Sequence, residues 1–188
     1  MTTLRIKIAS AGILAICFIL TGAFVIQFTG EFPCPLCILQ RMAMMLCALG
    51  PAWILIRAKK GTIDARDYGY GYGISILSAI LGACFSTRQI LLHIAPGDPG
   101  YGSAVMGLHL YTWALIVFLA VIAVSASQLF MLPEKPERAG PDKLAAFSLW
   151  ALAVLIAANA IAVFALEGFH WVLPDDPAAY QLFHDLAG

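Results

Sequence analysis

One stretch of the sequence decides the fold: Phe32-Pro33-Cys34-Pro35-Leu36-Cys37-Ile38-Leu39-Gln40-Arg41. Its two cysteines lie three residues apart, where one long apolar segment has ended and another begins. A Cys-x-x-Cys pair at a membrane surface indicates a dithiol that cycles with a disulfide, because it supplies a thiolate and a second sulfur within reach. Arg41 follows Cys37 by four residues, so both lie on one helix face and the arginine is placed to stabilise negative charge.

The whole chain is far more apolar than a soluble domain of its length. Of its 188 residues, 61% are hydrophobic and 12% are charged. Apolar stretches of about 20 residues, the length that spans a bilayer core, recur along it. The formal net charge is zero, which gives no indication of nucleic-acid binding. The composition therefore predicts an all-α integral membrane protein with a single membrane domain over residues 1–188.

Five apolar segments are long enough to cross the membrane. Each is expected to be a helix, because a span in lipid must satisfy its own backbone hydrogen bonds. Together they predict five transmembrane helices and an outer C-terminal tail over residues 167–188. The first segment is too long for the core of a signal peptide, so we expect it to remain as a helix. The five predicted spans are Ile8–Phe28, Cys37–Ile56, Tyr70–Ile94, Leu108–Met131 and Leu144–Leu166.

The basic residues predict the orientation of the chain. Nine of the eleven Lys and Arg residues precede the first span or lie in the two loops on the same side, and the loops on the other side contain none. Under the positive-inside rule the N-terminus is cytoplasmic, and the cysteine pair and the tail are on the outer side, which is the periplasm if the host is a Gram-negative bacterium. We expect a multi-pass membrane protein, with Trp171, Tyr180 and Phe183 of the tail as anchors at the bilayer interface.

The position of the pair relative to the second span predicts different tasks for the two sulfurs. Cys37 lies at the first helical turn, where free N–H groups and the helix dipole favour a thiolate. Cys34 precedes the helix and is expected to be the more exposed sulfur, which a partner's thiol attacks. An inert disulfide and half of a metal site are the alternatives. A structural zinc needs four ligands, so we expect no metal here.

Five further polar residues near the outer ends of the spans are candidate contacts of an electron acceptor. Arg88 is a second cation within the membrane, where an ionisable residue is a functional candidate by default. His93 closes the third span and His109 opens the fourth, so both are placed to bond a quinone carbonyl or relay protons. Gln40 and Gln89 are weaker candidates of the same kind.

Two stretches resemble a known family. Pro33-Cys34-Pro35-Leu36-Cys37-Ile38-Leu39-Gln40-Arg41 resembles the quinone-linked motif of the disulfide bond formation protein B (DsbB) family, and Gly107-Leu108-His109-Leu110-Tyr111-Thr112-Trp113 resembles the start of its fourth helix. The resemblance covers roughly residues 8–131. It implies an inner-membrane four-helix bundle that reoxidises a periplasmic, DsbA-like thiol oxidase and passes electrons to ubiquinone or menaquinone. It also implies that Cys34 and Cys37 are the quinone-coupled pair and that Arg41 lies beside the quinone ring.

Two features depart from the family pattern. The family usually has a second cysteine pair in the outer loop between spans three and four, yet residues 95–107 contain no cysteine. Cys17, Cys47 and Cys84 fall near mid-bilayer, where they are expected to be buried and too deep to replace it. Either the partner's thiols attack Cys34 directly, or another protein supplies the pair, or the partner differs. The fifth span is the second departure.

The sequence thus favours a membrane thiol:quinone oxidoreductase whose partners are a soluble thioredoxin-like protein and a quinone of the lipid bilayer. A second hypothesis is a non-enzymatic membrane scaffold or assembly subunit for an exported protein. The missing loop pair supports that hypothesis, and the intact motif with its arginine opposes it. A third, a haem-binding cytochrome using His93 and His109, is disfavoured because the spans lack a histidine pair at depth.

Overall fold

Five long helices and a short sixth follow one another in the computed structural model, which describes residues 2–140, 142–170, 172 and 174–187. Each of the five long helices is apolar and long enough to cross a bilayer. This confirms the prediction of an all-α membrane protein with five spans. The elements are α1 (Thr2–Phe28), α2 (Pro35–Ala58), β1 (Thr62–Ile63), α3 (Ala65–Leu92), α4 (Leu110–Leu129), β2 (Glu137–Arg138), α5 (Lys143–Glu167) and α6 (Gln181–Ala187).

The helices extend beyond the apolar spans predicted from hydropathy, into flanking polar residues. α3 begins at Ala65 rather than at the predicted Tyr70. Its start is fixed by a capping box, in which the Asp64 carboxylate accepts from the Asp67 N–H at 2.9 Å and the Asp67 carboxylate accepts from the Asp64 N–H at 3.4 Å. Local hydrogen bonding, rather than the apolar run, therefore sets this helix end.

α2 lies at the centre of the bundle. It packs against α1 and α3, while α4 packs on α3 and α5 on α1. In the most apolar 18-residue stretch of α2, 67% is buried inside the protein, whereas the corresponding share is 22% in α4 and in α5. The cysteine pair, at the start of α2, is therefore central at one end of the protein, which we call the cysteine end. That the five spans form one membrane domain stays a prediction.

The opposite end, called the basic end because its loops carry the Lys and Arg residues, is held by charge pairs. Arg57 Nε lies 2.7 Å from Asp67 Oδ1, and Arg5 Nη1 lies 3.2 Å from Glu137 Oε1. The strands β1 and β2 pair antiparallel, which joins the loop after α2 to the loop after α4. These contacts tie α1, α3 and both loops together at the end that is remote from the cysteines.

A close crossing of α2 and α3 depends on the absence of a side chain. A Cβ atom at Gly50 would overlap the Ser75 side chain and the Gly71 carbonyl oxygen. The Ser75 hydroxyl meanwhile donates to the Cys47 carbonyl across the same crossing, at 2.9 Å. Small residues let two membrane helices approach this closely, and the crossing fixes α3 beside the helix that carries the motif.

We expect Gly50→Ala to lower the thermal unfolding midpoint of the purified protein, because overpacking a close-packed interior costs about 1–3 kcal/mol. Gly12→Ala on α1 is the matched control, since its Cβ would meet open space. Intrinsic fluorescence during heating in detergent measures both midpoints. A Gly50→Ala midpoint equal to that of the unsubstituted protein would contradict the close crossing.

Candidate active site

The two cysteines of the motif form the start of α2. Cys34 is the N-cap residue, and Pro35 follows as the first helical residue, where its missing N–H costs nothing. The Cys37 N–H donates to Cys34 Sγ at 3.2 Å, so a sulfur satisfies one of the free donors of the helix start. The two Sγ atoms lie 2.7 Å apart, and both cysteines are free thiols. Two sulfurs this close can be joined as a disulfide when the pair loses two electrons and two protons to an oxidant.

Measured over the whole residue, exposure runs opposite to the expectation that Cys34 is the more exposed of the pair. Cys34 is buried, with 6% of its surface exposed, whereas Cys37 is half-buried. The hydrogen bond with Cys37 and burial both raise the pKa of the Cys34 thiol above its ordinary value. Cys34 is therefore protonated at neutral pH in the reduced pair.

The loop between α3 and α4 lies against the segment that precedes the motif. The Tyr101 hydroxyl donates to the Phe32 carbonyl at 2.8 Å. The Ser103 N–H donates to Glu31 at 3.1 Å, and the Ser103 hydroxyl donates to the same carboxylate. These two bonds hold the pKa of Glu31 below its ordinary value. The loop is therefore fixed beside the residues that lead into Cys34, a long-range contact that the position of the helix start does not predict.

Gln89 and Gln40 form a hydrogen-bonded pair beside the sulfurs. Gln89 Nε2 lies 3.3 Å from Cys34 Sγ and 3.5 Å from Cys37 Sγ. Gln40 Nε2 donates to Gln89 Oε1 at 2.7 Å. Both glutamines are buried, so two residues that ranked as weak candidates in the sequence lie next to the motif.

Arg41 is buried and reaches toward α1. One Nη atom donates to Gln27 Oε1 at 2.6 Å and the other to the Ala23 carbonyl at 3.1 Å. The guanidinium carbon also lies 5.1 Å from the centre of the Phe24 ring, within cation–π range. The charge is thus held one turn below Cys37. Gln27 was missed in the sequence, where the only signal is an amide within an otherwise apolar span.

The C-terminal tail crosses the cysteine end. Tyr180 packs edge-to-face on Phe32, with ring centres 5.0 Å apart, and its hydroxyl accepts from Gln27 Nε2 at 3.3 Å. Gln27 therefore links the tail to Arg41. Tyr180 is half-buried against protein, and Phe183 is exposed. Trp171, the third predicted anchor, lies outside the described residues.

The remaining predicted residues lie around the mouth of the site. Arg88 is exposed on α3. His93 Nδ1 lies 3.1 Å from Asp98 Oδ1, and His109 Nδ1 lies 3.1 Å from the Gly102 carbonyl oxygen. Both imidazole rings stack on Tyr111, with ring centres 5.8 and 5.2 Å away. The two histidines therefore share a single cluster that holds both ends of the α3–α4 loop.

A cavity of about 1310 Å³ joins these elements. Its wall includes Cys34 and Cys37 of the motif together with Arg41, Arg88 and His93, whereas His109 is not among the described residues that line it. The tail contributes residues 175–178, so it forms part of the wall. The apolar part of the wall includes Ile19, Leu20, Met44, Leu92 and Val117.

The other cysteines stand apart from the site. Cys17 and Cys47 are buried in α1 and α2, as expected. Cys84 is exposed on the outer surface of α3, so the expectation of burial is wrong for it. Counting residues predicts how deep a cysteine lies along its helix, but it does not predict which face of the helix the cysteine occupies.

The fold and the site together define a helical multi-pass membrane protein with a Cys-x-x-Cys pair at a helix start, above a buried arginine. A family model described as Disulfide bond formation protein DsbB matches residues 6–102. The chain belongs to this family. The matched range ends in the α3–α4 loop, so α4, α5 and the tail lie beyond it.

One curated relative extends the comparison. The chain is 41% identical over 70 residues to Disulfide bond formation protein B of Chromobacterium violaceum. The matched segment covers 37% of this chain and 39% of that relative. No solved structure matches the chain.

Proposed function

We propose that this protein is a membrane thiol:quinone oxidoreductase that reoxidises a periplasmic, thioredoxin-like (DsbA-like) dithiol oxidase. One observation carries the proposal: two sulfurs 2.7 Å apart at a helix start line the same cavity as a buried arginine. A disulfide with a purely structural task needs neither the cavity nor the charge. Family membership supports the same reaction class.

The exchange begins with the pair as a disulfide. A thiolate of the partner attacks Cys34 Sγ, a bond forms between the two sulfurs, and the Cys34–Cys37 bond breaks with its electron pair on Cys37 Sγ. Attack at Cys34 is favoured because Cys37 is the better leaving group, lying among the N–H donors of the helix start. The partner's second thiolate then attacks its own bridged sulfur, which releases the oxidised partner and leaves Cys34 and Cys37 reduced.

The residues of the cavity fit a membrane quinone, ubiquinone or menaquinone. The guanidinium of Arg41 and the imidazole of His93 offer N–H donors for carbonyl oxygens, and Arg88 adds a third donor group at the wall. Leu20, Met44 and their apolar neighbours suit a ring and an isoprenoid chain. When bound, a quinone accepts the two electrons and two protons that the dithiol loses on returning to the disulfide. His109, which bonds the loop, is proposed to position the site rather than to touch the acceptor.

The orientation follows from the distribution of charge. We propose that the basic end is cytoplasmic and the cysteine end periplasmic, in the inner membrane of a bacterium, because the Lys and Arg residues of the loops all lie at the basic end. A periplasmic cysteine end places the pair in a compartment that permits disulfides. No cysteine lies in the loop at residues 95–107, so we propose that the partner's thiol reaches Cys34 directly.

The orientation is tested by labelling intact cells with a membrane-impermeant maleimide. A cysteine introduced at exposed Ala95 is expected to react, and one introduced at exposed Lys135 is expected to react only after lysis. The two variants control for each other because they differ only in the end of the protein that they probe. The reverse pattern would overturn the proposed orientation.

We expect Cys34→Ser and Cys37→Ser each to abolish reduction of a soluble quinone analogue by the purified protein, because one sulfur alone cannot cycle. The donor is a reduced thioredoxin-like periplasmic protein, and the quinone absorbance reports turnover. Cys17→Ser is the matched control and is expected to keep activity, since Cys17 is buried away from the site. Wild-type turnover by either motif variant would refute the scheme.

The choice of donor separates the remaining hypotheses. Reduction by a small dithiol but not by the soluble protein would mean that a cysteine-bearing partner is missing and that direct attack on Cys34 is wrong. Reduction with neither donor would favour the non-enzymatic scaffold, the second hypothesis, for which the absence of a loop pair remains the supporting observation.

Arg41→Met is expected to raise the KM for the quinone analogue about 10-fold, the size that follows from losing one hydrogen bond to a charged group. A small dithiol serves as donor, so partner binding does not enter the measurement. Arg66→Met is the control, because Arg66 is exposed at the basic end. An unchanged KM in Arg41→Met would show that the arginine serves only to hold Gln27 and α1.

A further inference from the structure

Gln89 is the residue of α3 that touches both sulfurs. It is 1% exposed, and its Nε2 lies 3.3 Å from Cys34 Sγ and 3.5 Å from Cys37 Sγ. A buried amide needs partners for its donors, and here those partners are the sulfurs of the motif. Neither sulfur is a good acceptor while it is a neutral thiol, because hydrogen bonds gain strength when the acceptor is ionised.

Gln40 fixes which end of the Gln89 amide faces the sulfurs. Gln40 Nε2 donates to Gln89 Oε1 at 2.7 Å, and Gln89 Nε2 is the nearer amide atom to the sulfurs, since Oε1 lies 3.9 Å from Cys37 Sγ. Gln40 lies on α2, three residues after Cys37, and is itself 4% exposed. The orientation is therefore set from the same helix that carries the cysteines.

Unlike the Gln89 amide, the Arg41 guanidinium is directed toward α1 and not toward the sulfurs. Both of its Nη atoms are bonded to α1, at Gln27 and at the Ala23 carbonyl. The guanidinium acts on the sulfurs through space, whereas the Gln89 amide acts through direct contact. Besides the Cys37 backbone N–H, the sulfur pair thus has a side-chain amide in contact and a cation at the level of the next helical turn.

We propose that Gln89, oriented by Gln40, is a catalytic residue that donates an N–H to the departing Cys37 sulfur during thiol–disulfide exchange. The inference rests on the proposed exchange at the Cys34–Cys37 pair. As the partner's sulfur bonds to Cys34, the Cys34–Cys37 bond breaks and its electron pair moves to Cys37 Sγ. Gln89 shares its proton with that thiolate without transferring it, so it ends the step unchanged.

The competing explanation is that the Gln40–Gln89 bond only joins α2 to α3. The two explanations differ in what they predict for the thiolate. An interhelical bond affects stability and leaves the reactivity of a folded Cys37 unaltered. A donor to the sulfur changes how readily Cys37 ionises, and this shows in the pH dependence of its reaction with an alkylating agent.

The test measures alkylation of Cys37 by iodoacetamide in the reduced full-length protein in detergent, read by site-resolved mass spectrometry over a wide pH range. Gln89→Met removes the N–H donors while keeping a side chain of similar length. It is expected to slow alkylation at neutral pH about 10-fold, the effect of one lost hydrogen bond to a charged group, and to move the pH profile upward. At high pH, where the thiolate forms in any case, the rates converge.

Two further variants complete the design. Gln40→Met leaves the Gln89 amide in place but frees its orientation, and is expected to shift the profile in the same direction by less. Ser86→Ala, on the same face of α3 one turn before Gln89, removes another buried polar group and is expected to leave the profile unchanged. If Gln89→Met does not fold, the test relies on Gln40→Met. An unshifted pH profile of Cys37 alkylation in the variants that fold overturns the inference.

The alkylation assay contains neither a partner nor a quinone, so it fails separately from the proposed function. A shifted profile in a protein that reduces no quinone would reject the oxidoreductase and keep Gln89 as a thiolate donor. An unshifted profile in a protein that does reduce quinone would keep the oxidoreductase and reject the task assigned to Gln89.

Discussion

The hydrogen bond from the Cys37 N–H to Cys34 Sγ ties the motif to the start of a membrane helix, and the rest of the site is arranged around that point. A helix in lipid satisfies all its backbone groups except those at its ends, so an end is where unpaired donors meet a reacting group. Pro35 removes a donor that would have no partner, and Cys34 accepts from another. The pair is thus part of the helix start itself, and it moves only if α2 moves.

Burial of α2 between α1 and α3 makes that start rigid and brings in polar side chains from both neighbours. Two chains of hydrogen bonds result. One runs from Arg41 through Gln27 to Tyr180 of the tail, and the other runs from Gln40 through Gln89 to the sulfurs. A buried cation or amide in a membrane span is costly unless it is bonded, so each chain gives its members the partners that lipid does not offer. The two chains join α2 to different neighbours, the first to α1 and the second to α3.

Most of what depends on local pattern could be predicted from the sequence, apart from the capping box that starts α3 at Ala65. Hydropathy predicted five spans, and spacing alone identified Cys34, Cys37 and Arg41 as belonging to one helix start. Contacts between helices could not be predicted from the sequence, because they depend on which face each helix turns to its neighbour. Gln27 was missed and the exposure of Cys84 was wrong for that reason. The placement of the α3–α4 loop beside the motif joins residues more than 60 positions apart in the chain, through the bond from Tyr101 to Phe32.

The covered position of Cys34 sets a condition on its chemistry. A thiolate displaces a disulfide sulfur along the sulfur–sulfur axis, so the attacking atom needs an open path to Cys34 Sγ. The structure leaves 6% of Cys34 exposed, with the α3–α4 loop held on one side by Glu31 and the tail held on the other by Phe32. The loop is attached through Glu31 and Phe32, whereas the tail is attached through Phe32 and also through Gln27 of α1. Opening the loop would leave the bonds of the glutamine pair and of Arg41 intact, but opening the tail would remove the Tyr180 partner of Gln27, which accepts from Arg41, so access from the tail side is coupled to the position of the arginine.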